Sequence, residues 1–228
     1  MTTAPDHPGP DPVEHRITVP RTARYYALGD VDTASDAWVV LHGFGQLARK
    51  FIGQFRPASA PGRLIVAPEA LSRYYTDHAA RKVGATWMTS EDRLTEIADY
   101  VRYLDLVVDD VRAGPPAPTG RLEVHGFSQG TVTASRWAAF GRHQPDRLVL
   151  WGGGLPPDLD LEAHGPRLNG MDLTVVIGDR DEFISEEAIQ DQVRQLEAAG
   201  VGYRLIRFPG GHTVPGSVLE AMAGLEKF

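Results

Sequence analysis

The stretch that decides the fold of this chain is residues 122–130, which read Leu-Glu-Val-His-Gly-Phe-Ser-Gln-Gly. Its first residues form a short apolar run typical of a buried strand, and the small residues of 131–139 favour a helix. Glycines on both sides of Ser128 remove the side chains that would clash in a sharp strand-to-helix turn. A turn of this kind projects the serine hydroxyl above the sheet. The pattern therefore predicts that Ser128 is a nucleophile.

Other short apolar runs alternate with helical patterns along the chain, and each has the length of a strand. They lie at residues 38–41, 64–67, 122–124, 148–151, 173–177 and 203–208. We also expect an opening pair of strands at residues 17–19 and 23–28. Such alternation predicts the α/β class, with a mainly parallel central sheet and helices on both faces. Active sites in such sheets lie at the carboxyl ends of the strands.

Three segments have the periodicity of helices. The longest runs from Leu94 to Val111, with Thr89 and Asp92 as a predicted capping box at its start. The others are predicted at residues 185–200, with the first residue as N-cap, and from residue 215 to the end of the chain.

A serine hydroxyl is a weak nucleophile unless a base removes its proton and an acid orients that base. Asp179 and Asp181 follow the predicted strand at 173–177, and His212 follows the strand at 203–208. All of them come just after a strand ends, in the chain order serine, acid, histidine. We therefore expect His212 to be the base and one of the two aspartates to be the acid.

A third requirement is a pair of N–H donors for the charge that develops on the substrate carbonyl oxygen. The turn His-Gly-Phe-Gly at 42–45 directly follows a strand, and its backbone can present the amide of Phe44. Gln129, next to the nucleophile, is the second predicted donor. His42 is interpreted as a residue that braces this turn through hydrogen bonds.

With these motifs the chain resembles the α/β-hydrolase superfamily, and within it the phospholipase/carboxylesterase family, which includes acyl-protein thioesterases. The resemblance rests on Gly-Phe-Ser-Gln-Gly, His-Gly-Phe-Gly, Gly-Asp-Arg-Asp and Gly-Gly-His, and it extends from about Trp38 to the C-terminus. It implies hydrolysis of carboxylic or thiol esters through an acyl-enzyme, without a cofactor. It also implies that the second aspartate of Gly-Asp-Arg-Asp, Asp181, is the acid. The chain departs from the family at Thr131, where a glycine is common, and at residues 46–48.

Substrate-binding residues are expected in two connections near the catalytic edge. The first is a 21-residue loop at 68–88, in which Tyr74, Trp87 and Met88 are candidates for lining an acyl pocket. The second is the connection at 152–171, which contains Leu155 and is too short for a helical cap domain. An open apolar groove with Trp87 in its wall is therefore predicted, with a preference for short to medium acyl chains.

Composition excludes several other classes of protein. The 228 residues are 42% hydrophobic and carry 23 Lys and Arg against 30 Asp and Glu, so the net charge of −7 argues against nucleic-acid binding. There is no cysteine and no metal-binding motif, and no apolar stretch is long enough to span a membrane. We expect a flexible, proline-rich tail at residues 1–14, a single domain at 15–228, and a cytoplasmic protein that is a monomer or homodimer.

The sequence thus predicts a serine carboxylesterase with a triad of Ser128, His212 and Asp181, acting on a small-molecule ester without metal or cofactor. Three enzymatic alternatives use the same residues, namely a thioesterase, a lysophospholipase and a peptidase. A fourth alternative is a catalytically silent hydrolase fold that serves as a binding protein. Such a protein would be expected to lack one of the three residues, and this chain has all of them.

Overall fold

The computed structural model describes residues 11–114 and 118–224. The strands are β1 (Tyr25–Leu28), β2 (Asp36–Leu41), β3 (Arg63–Pro68), β4 (Ser72–Asp77), β5 (Lys82–Thr86), β6 (Leu122–Phe127), β7 (Arg147–Trp151), β8 (Asp172–Gly178) and β9 (Arg204–Phe208). The helices are α1 (Ala48–Phe51), which continues into a 3₁₀ segment (Ile52–Ala58), α2 (Arg93–Ala113), α3 (Gln129–Phe140), α4 (Leu161–Leu168), α5 (Glu186–Ala198) and α6 (Gly216–Met222).

Seven strands form the central sheet in the order β1-β3-β2-β6-β7-β8-β9. Strand β1 is antiparallel to β3, and all other neighbours are parallel. The predicted mainly parallel sheet is therefore confirmed. Strand β6 lies at its centre, so the turn after β6 has the ends of β2 and β7 on either side.

Successive strand residues pack on opposite faces of the sheet, and helices cover both faces. On one face Val39, Leu41 and Val124 pack with buried residues of α2, α3, α4 and α5. On the other face Val40 and Val149 pack with α1, the 3₁₀ segment and α6. Continuous apolar runs such as the one in β2 are required because both faces of these strands are buried.

The predicted opening pair of strands is wrong in its first member. Residues 17–19 have no regular structure, and Ile17 is 87% exposed. An alternating apolar pattern forms a strand only where a neighbouring strand offers it hydrogen-bond partners. Of the two predicted strands, only the second, observed as β1, joins the sheet, through β3. Of the predicted tail at 1–14, residues 1–10 lie outside the described residues and 11–14 are exposed. The domain boundary at residue 15 remains a prediction.

The helices follow their predictions apart from one cap and the end of the last helix. Helix α5 begins at Ser185, whose hydroxyl accepts the Ala188 N–H at 3.2 Å. The capping box of α2 is wrong: Asp92 has a left-handed backbone with φ 46° and makes no cap hydrogen bond. Its carboxylate instead pairs with Arg16 at 2.9 Å. The last helix is predicted to continue to the end of the chain, but it ends at Met222, and Gly224 has a positive φ of 69°. The residues after Gly224 lie outside the described residues.

The connections beside the carboxyl ends of the strands contain more structure than the sequence predicts. The loop at 68–88 holds the antiparallel hairpin β4–β5. The connection at 152–171 contains α4, which packs on α3 through the guanidinium of Arg167 at the Ala138 carbonyl, 2.6 Å away. No large cap domain covers the sheet in the described part of the chain. In the same residues no helix is long and apolar enough to cross a membrane.

Candidate active site

Ser128 lies on a strained turn between β6 and α3. Its φ of 54° and ψ of −119° are rare for a residue with a side chain. The two flanking glycines make the turn possible, because a Cβ on Gly126 would collide with the Gly130 backbone and one on Gly130 with the Leu41 carbonyl. Strain of this kind persists where the surroundings enforce it, and it is common at functional sites. The turn has the geometry expected of a nucleophile elbow.

His212 and Asp181 are held together across two loops. The Nδ1 of His212 lies 2.8 Å from Oδ2 of Asp181. The carboxylate is 1% exposed, and its other oxygen, Oδ1, accepts the Phe183 N–H at 3.0 Å. The imidazole is 15% exposed and therefore still reachable from solvent. Because the carboxylate is an acceptor at Nδ1, Nε2 is left as the proton-accepting nitrogen.

The neighbouring aspartate occupies a different environment. Asp179 is 53% exposed, and its Oδ1 lies 3.3 Å from Nε of Arg207. Its N–H donates to the Phe208 carbonyl at 2.9 Å, which holds the ends of β8 and β9 together. Asp179 is thus an exposed ion-pair residue, whereas Asp181 is the carboxylate that contacts the imidazole.

Ser128 and His212 both lie beside the end of β7. The Ser128 N–H donates to the Trp151 carbonyl at 2.9 Å. The next residue, Gly152, lies against the imidazole, because a Cβ there would be 2.9 Å from Nδ1 of His212 and 3.3 Å from Oδ2 of Asp181. Its φ of 58° also favours glycine. The three residues that the sequence predicts as a triad are therefore gathered at one edge of the sheet.

The turn that contains Phe44 packs directly against the serine. A Cβ on Gly43 would be 3.2 Å from the Cβ of Ser128. The Gly43 N–H donates to the Gln46 side chain at 2.8 Å, and the Gly45 N–H donates to Ala85 in the hairpin at 2.9 Å. In the described part of the chain, the Phe44 N–H between them has no acceptor. An uncommitted amide beside the nucleophile is what the predicted oxyanion hole requires.

The Gln129 side chain connects the elbow to the segment after the hairpin. Its Nε2 donates to the Met88 carbonyl at 2.9 Å, and its Oε1 accepts the Trp87 N–H at 3.1 Å. The hydroxyl of Thr86 lies 2.9 Å from the same Nε2. Both polar atoms of the Gln129 side chain are therefore engaged in hydrogen bonds to residues 86–88. The backbone N–H of Gln129 is at the first position of α3, where an amide has no partner within its own helix.

His42 has the hydrogen bonds of a residue that braces the turn. Its Nδ1 lies 2.8 Å from the Gly43 carbonyl, and its Nε2 accepts the Ala70 N–H at 3.1 Å. Both ring nitrogens are thus occupied, with the proton on Nδ1. Burial lowers the pKa of this imidazole, which keeps it neutral.

Trp87 corrects the prediction of a groove wall. The side chain is 3% exposed, its Nε1–H donates to the His42 carbonyl at 2.8 Å, and its ring packs against Tyr100. Trp87 lies beneath the turn at 42–45, where its indole N–H satisfies the buried carbonyl of His42. Trp87 therefore offers no open surface to a substrate.

The other predicted substrate-binding residues lie in three places. Tyr74 is half-buried, with its ring 5.4 Å from that of Phe44. Met88 is partly buried and contacts Gln129 through its carbonyl. Leu155 is 8% exposed and lines a cavity beside α5.

Two residues of the site, Phe183 and Gly152, are not predicted by the sequence patterns. Phe183 is 70% exposed with its ring 4.7 Å from that of His212. Its only sequence signal is its place two residues after Asp181. The second residue is Gly152, which belongs to a run of three glycines that carries no motif by itself.

The described residues contain no group of three or more His, Asp or Glu side chains that could hold a metal ion. The site consists of a serine on a strained turn, a histidine bonded to a carboxylate, and two backbone amides. These are the parts from which hydrolases build covalent catalysis.

Solved structures with this fold include several esterases. Esterase PE8 is 22% identical, with a TM-score of 0.66, and the match covers 89% of this chain and 96% of that one. Acyl-protein thioesterase 2 of Zea mays is 20% identical, with a TM-score of 0.64 and coverage of 89% and 97%. A carboxylesterase from Mesorhizobium loti is 15% identical, with a TM-score of 0.68 and coverage of 89% and 94%. No curated protein matches the chain.

These likenesses establish the α/β-hydrolase fold, as the sequence resemblance implied. A family model described as "Serine hydrolase (FSH1)" matches residues 35–222, which include the strained serine turn, both loops of the His212–Asp181 pair and the turn at 42–45. With more than half of its length in that match, the chain belongs to the FSH1 family of serine hydrolases.

Proposed function

We propose that the protein hydrolyses carboxylic esters through an acyl-enzyme formed on Ser128. The observation that carries this proposal is the 2.8 Å contact between His212 and the buried carboxylate of Asp181, at the same sheet edge as the strained serine turn. A serine without a base is a poor nucleophile, and this pair supplies an oriented base.

In the first half of the reaction, Nε2 of His212 removes the proton of the Ser128 hydroxyl while Oγ attacks the ester carbonyl carbon. The carbonyl π electrons move to the oxygen, and the tetrahedral intermediate then collapses with loss of the alcohol. His212 returns the proton to the departing alkoxide oxygen. Asp181 holds the imidazole in the required tautomer and stabilises its positive charge.

In the second half, a water molecule replaces the alcohol. His212 takes one proton from the water, the hydroxide attacks the acyl carbon, and the Ser128–acyl bond breaks. The proton on His212 goes to Oγ of Ser128, which releases the carboxylic acid and restores the enzyme. No metal or organic cofactor takes part in these steps.

The Phe44 and Gln129 amides bind the negatively charged oxygen of both tetrahedral intermediates. Support for this role comes from the bonded amides of Gly43 and Gly45 on either side of Phe44, which leave its own N–H available. Donors fixed before the reaction need no reorganisation as charge develops, and one such donor contributes about 10²- to 10³-fold in kcat.

Covalent labelling tests the nucleophile. We expect one fluorophosphonate adduct by intact mass on the unmodified protein, and none on Ser128→Ala. Ser59→Ala, at an exposed serine, is the matched control and labels normally. Hydrolysis of p-nitrophenyl acetate falls by roughly 10³- to 10⁶-fold in Ser128→Ala with the fold retained. An adduct that persists in Ser128→Ala contradicts the assignment, and absence of labelling in the unmodified protein favours a silent binding protein.

A further inference from the structure

A cavity of about 330 Å³ lies between α5 and strands β8 and β9. We call it the α5 cavity. Its lining is mainly apolar, and its principal residues are Leu155, Val175, Ile177, Ile189, Val193 and Leu205. We propose that the α5 cavity binds the hydrocarbon chain of the ester substrate. This inference rests on the proposed function and adds a substrate class to it.

Two walls of the α5 cavity continue directly from residues that contact the imidazole. Gly153 and Ile184 both line it. Gly153 follows Gly152, which lies against His212, and Ile184 follows Phe183, whose ring is 4.7 Å from that of His212. The cavity therefore begins one residue away from the reacting groups.

A third link joins the α5 cavity to the nucleophile. A Cβ on Gly153 would be 2.6 Å from Oγ1 of Thr131. That hydroxyl donates to the Ser128 carbonyl at 2.7 Å. The loop at 152–154 thus runs close over the start of α3, and only glycine allows this approach. A chain attached to an ester carbonyl at Ser128 needs to pass only this loop to reach the cavity.

The chemistry of the lining selects an uncharged, apolar occupant. Among the described lining residues, Asp191 is the one with a formal charge, and it is exposed and pairs with Arg194 on the outer side of α5. Gln192, Gln195 and Tyr203 add neutral polar groups to the lining, so a charged group would lose its hydration here without finding an opposite charge. A hydrocarbon chain gains from burial on the same surface.

The size of the α5 cavity limits the length of the chain. Its volume is near the lower end of the range of about 300–1,000 Å³ typical of small-molecule sites. Each buried methylene contributes about 0.8 kcal/mol, which is about fourfold in kcat/KM. We therefore expect kcat/KM to rise about fourfold per methylene over short chains and to level off once the cavity is full.

Substitutions that fill the α5 cavity test the proposal. Val193→Phe and Leu205→Phe each place an aromatic ring in it from a different wall, so at least one folded variant is expected. Val31→Phe makes the same change at an exposed loop residue and is the matched control. Two series are measured, p-nitrophenyl esters from acetate to decanoate and acetate esters of alcohols from ethanol to octanol. The first varies the acyl chain and the second the alcohol chain.

Hydrolysis of p-nitrophenyl acetate, whose acetyl group is too short to fill the α5 cavity, is the reference activity, and the Val31→Phe control is expected to keep it within about twofold. In the filled variants, the ratio of kcat/KM for the longest ester over the shortest ester of the same series falls tenfold or more in one of the two series, which also identifies the part of the substrate that occupies the cavity. Unchanged ratios in both series overturn the proposal, and so does an equal loss on the shortest and the longest esters. Retained acetate hydrolysis with unchanged ratios leaves the proposed function intact, so the two failures are distinguishable.

Discussion

The side-chain nitrogen of Gln129 donates to the carbonyl of Met88 at 2.9 Å, although the two residues stand 41 positions apart in the chain. This bond and its partner at the Trp87 N–H fasten the segment after the hairpin to the nucleophile elbow. The hairpin also bonds Gly45 through Ala85. Residues 85–88 thus fix the distance between the turn that contains Phe44 and Gln129, whose amides are the two predicted donors of the oxyanion hole.

Gln129→Met, which keeps the length of the side chain and removes its polar atoms, tests this positioning role. We expect kcat to fall by about 10- to 100-fold with KM nearly unchanged, because the donors move relative to the charge that appears only in the transition state. Kinetics on p-nitrophenyl acetate give the split between kcat and KM. A change confined to the thermal midpoint, with kcat retained, would assign Gln129 a purely structural role.

The two aspartates of the loop after β8 are expected to differ sharply in catalysis. Asp181→Asn lowers kcat by on the order of 10⁴, because an amide no longer holds the productive tautomer of His212. Asp179→Asn removes only the exposed ion pair with Arg207 and costs less than about threefold. Paired measurements of kcat check this. Equal losses, or a larger loss at Asp179, would contradict the assignment of Asp181.

A comparison of Gly152→Ala with Gly200→Ala separates the effect of backbone strain from the effect of contact with the imidazole. Both Gly152 and Gly200 have a positive φ, 58° and 65°, but a Cβ meets His212 only at the first position and open space at the second. We expect both alanine variants to lose about 1–2 kcal/mol of unfolding free energy. Only Gly152→Ala also loses most of its esterase activity. Denaturant unfolding and kinetics on both proteins check the pair, and normal activity in Gly152→Ala would argue against close contact with the imidazole.

The stability of the protein is expected to decrease as the pH falls below about 6.5, in part through His125. This residue is fully buried in β6, its ring stacks on Trp38 at 4.4 Å, and Nδ1 accepts the Nε1–H of Trp151 at 3.2 Å. Burial lowers the pKa of its imidazole, which outweighs the opposite effect of Glu123. The unfolded chain, with a histidine pKa of about 6.5, therefore binds the proton first, and acid favours unfolding.

Urea unfolding at pH 7.5 and pH 5.5 measures this dependence. One such histidine contributes up to about 1.4 kcal/mol per pH unit below 6.5. His125→Gln keeps a polar side chain at the same strand position and removes the titration. The variant is less stable at both pH values, and its unfolding free energy changes less between them. An identical pH dependence in both proteins would exclude His125 as a source of acid sensitivity.

The sequence by itself determined the sheet and the order of the reacting residues. Short apolar runs bounded by turns predict β2, β3, β6, β7, β8 and β9 because strands buried on both faces need continuous apolar character. Parallel strands then bring their carboxyl ends to one edge, so residues that follow different strands meet there. This rule brings Ser128, His212 and both aspartates to one edge, and the family resemblance selects Asp181 rather than Asp179.

Only the tertiary structure decided which loops and side chains surround that edge of the sheet. The burial of Trp87 under the His42 carbonyl and the hydrogen bonds of the Gln129 side chain join segments more than 40 residues apart. The hairpin at 72–86 is local in sequence, but its place beside the site depends on its contact with Gly45 through Ala85. Such contacts depend on the angle at which loops cross the sheet, and local patterns do not encode it. The α5 cavity has the same origin, because it is the space left where a helix and two strands pack beside Gly153 and Gly154.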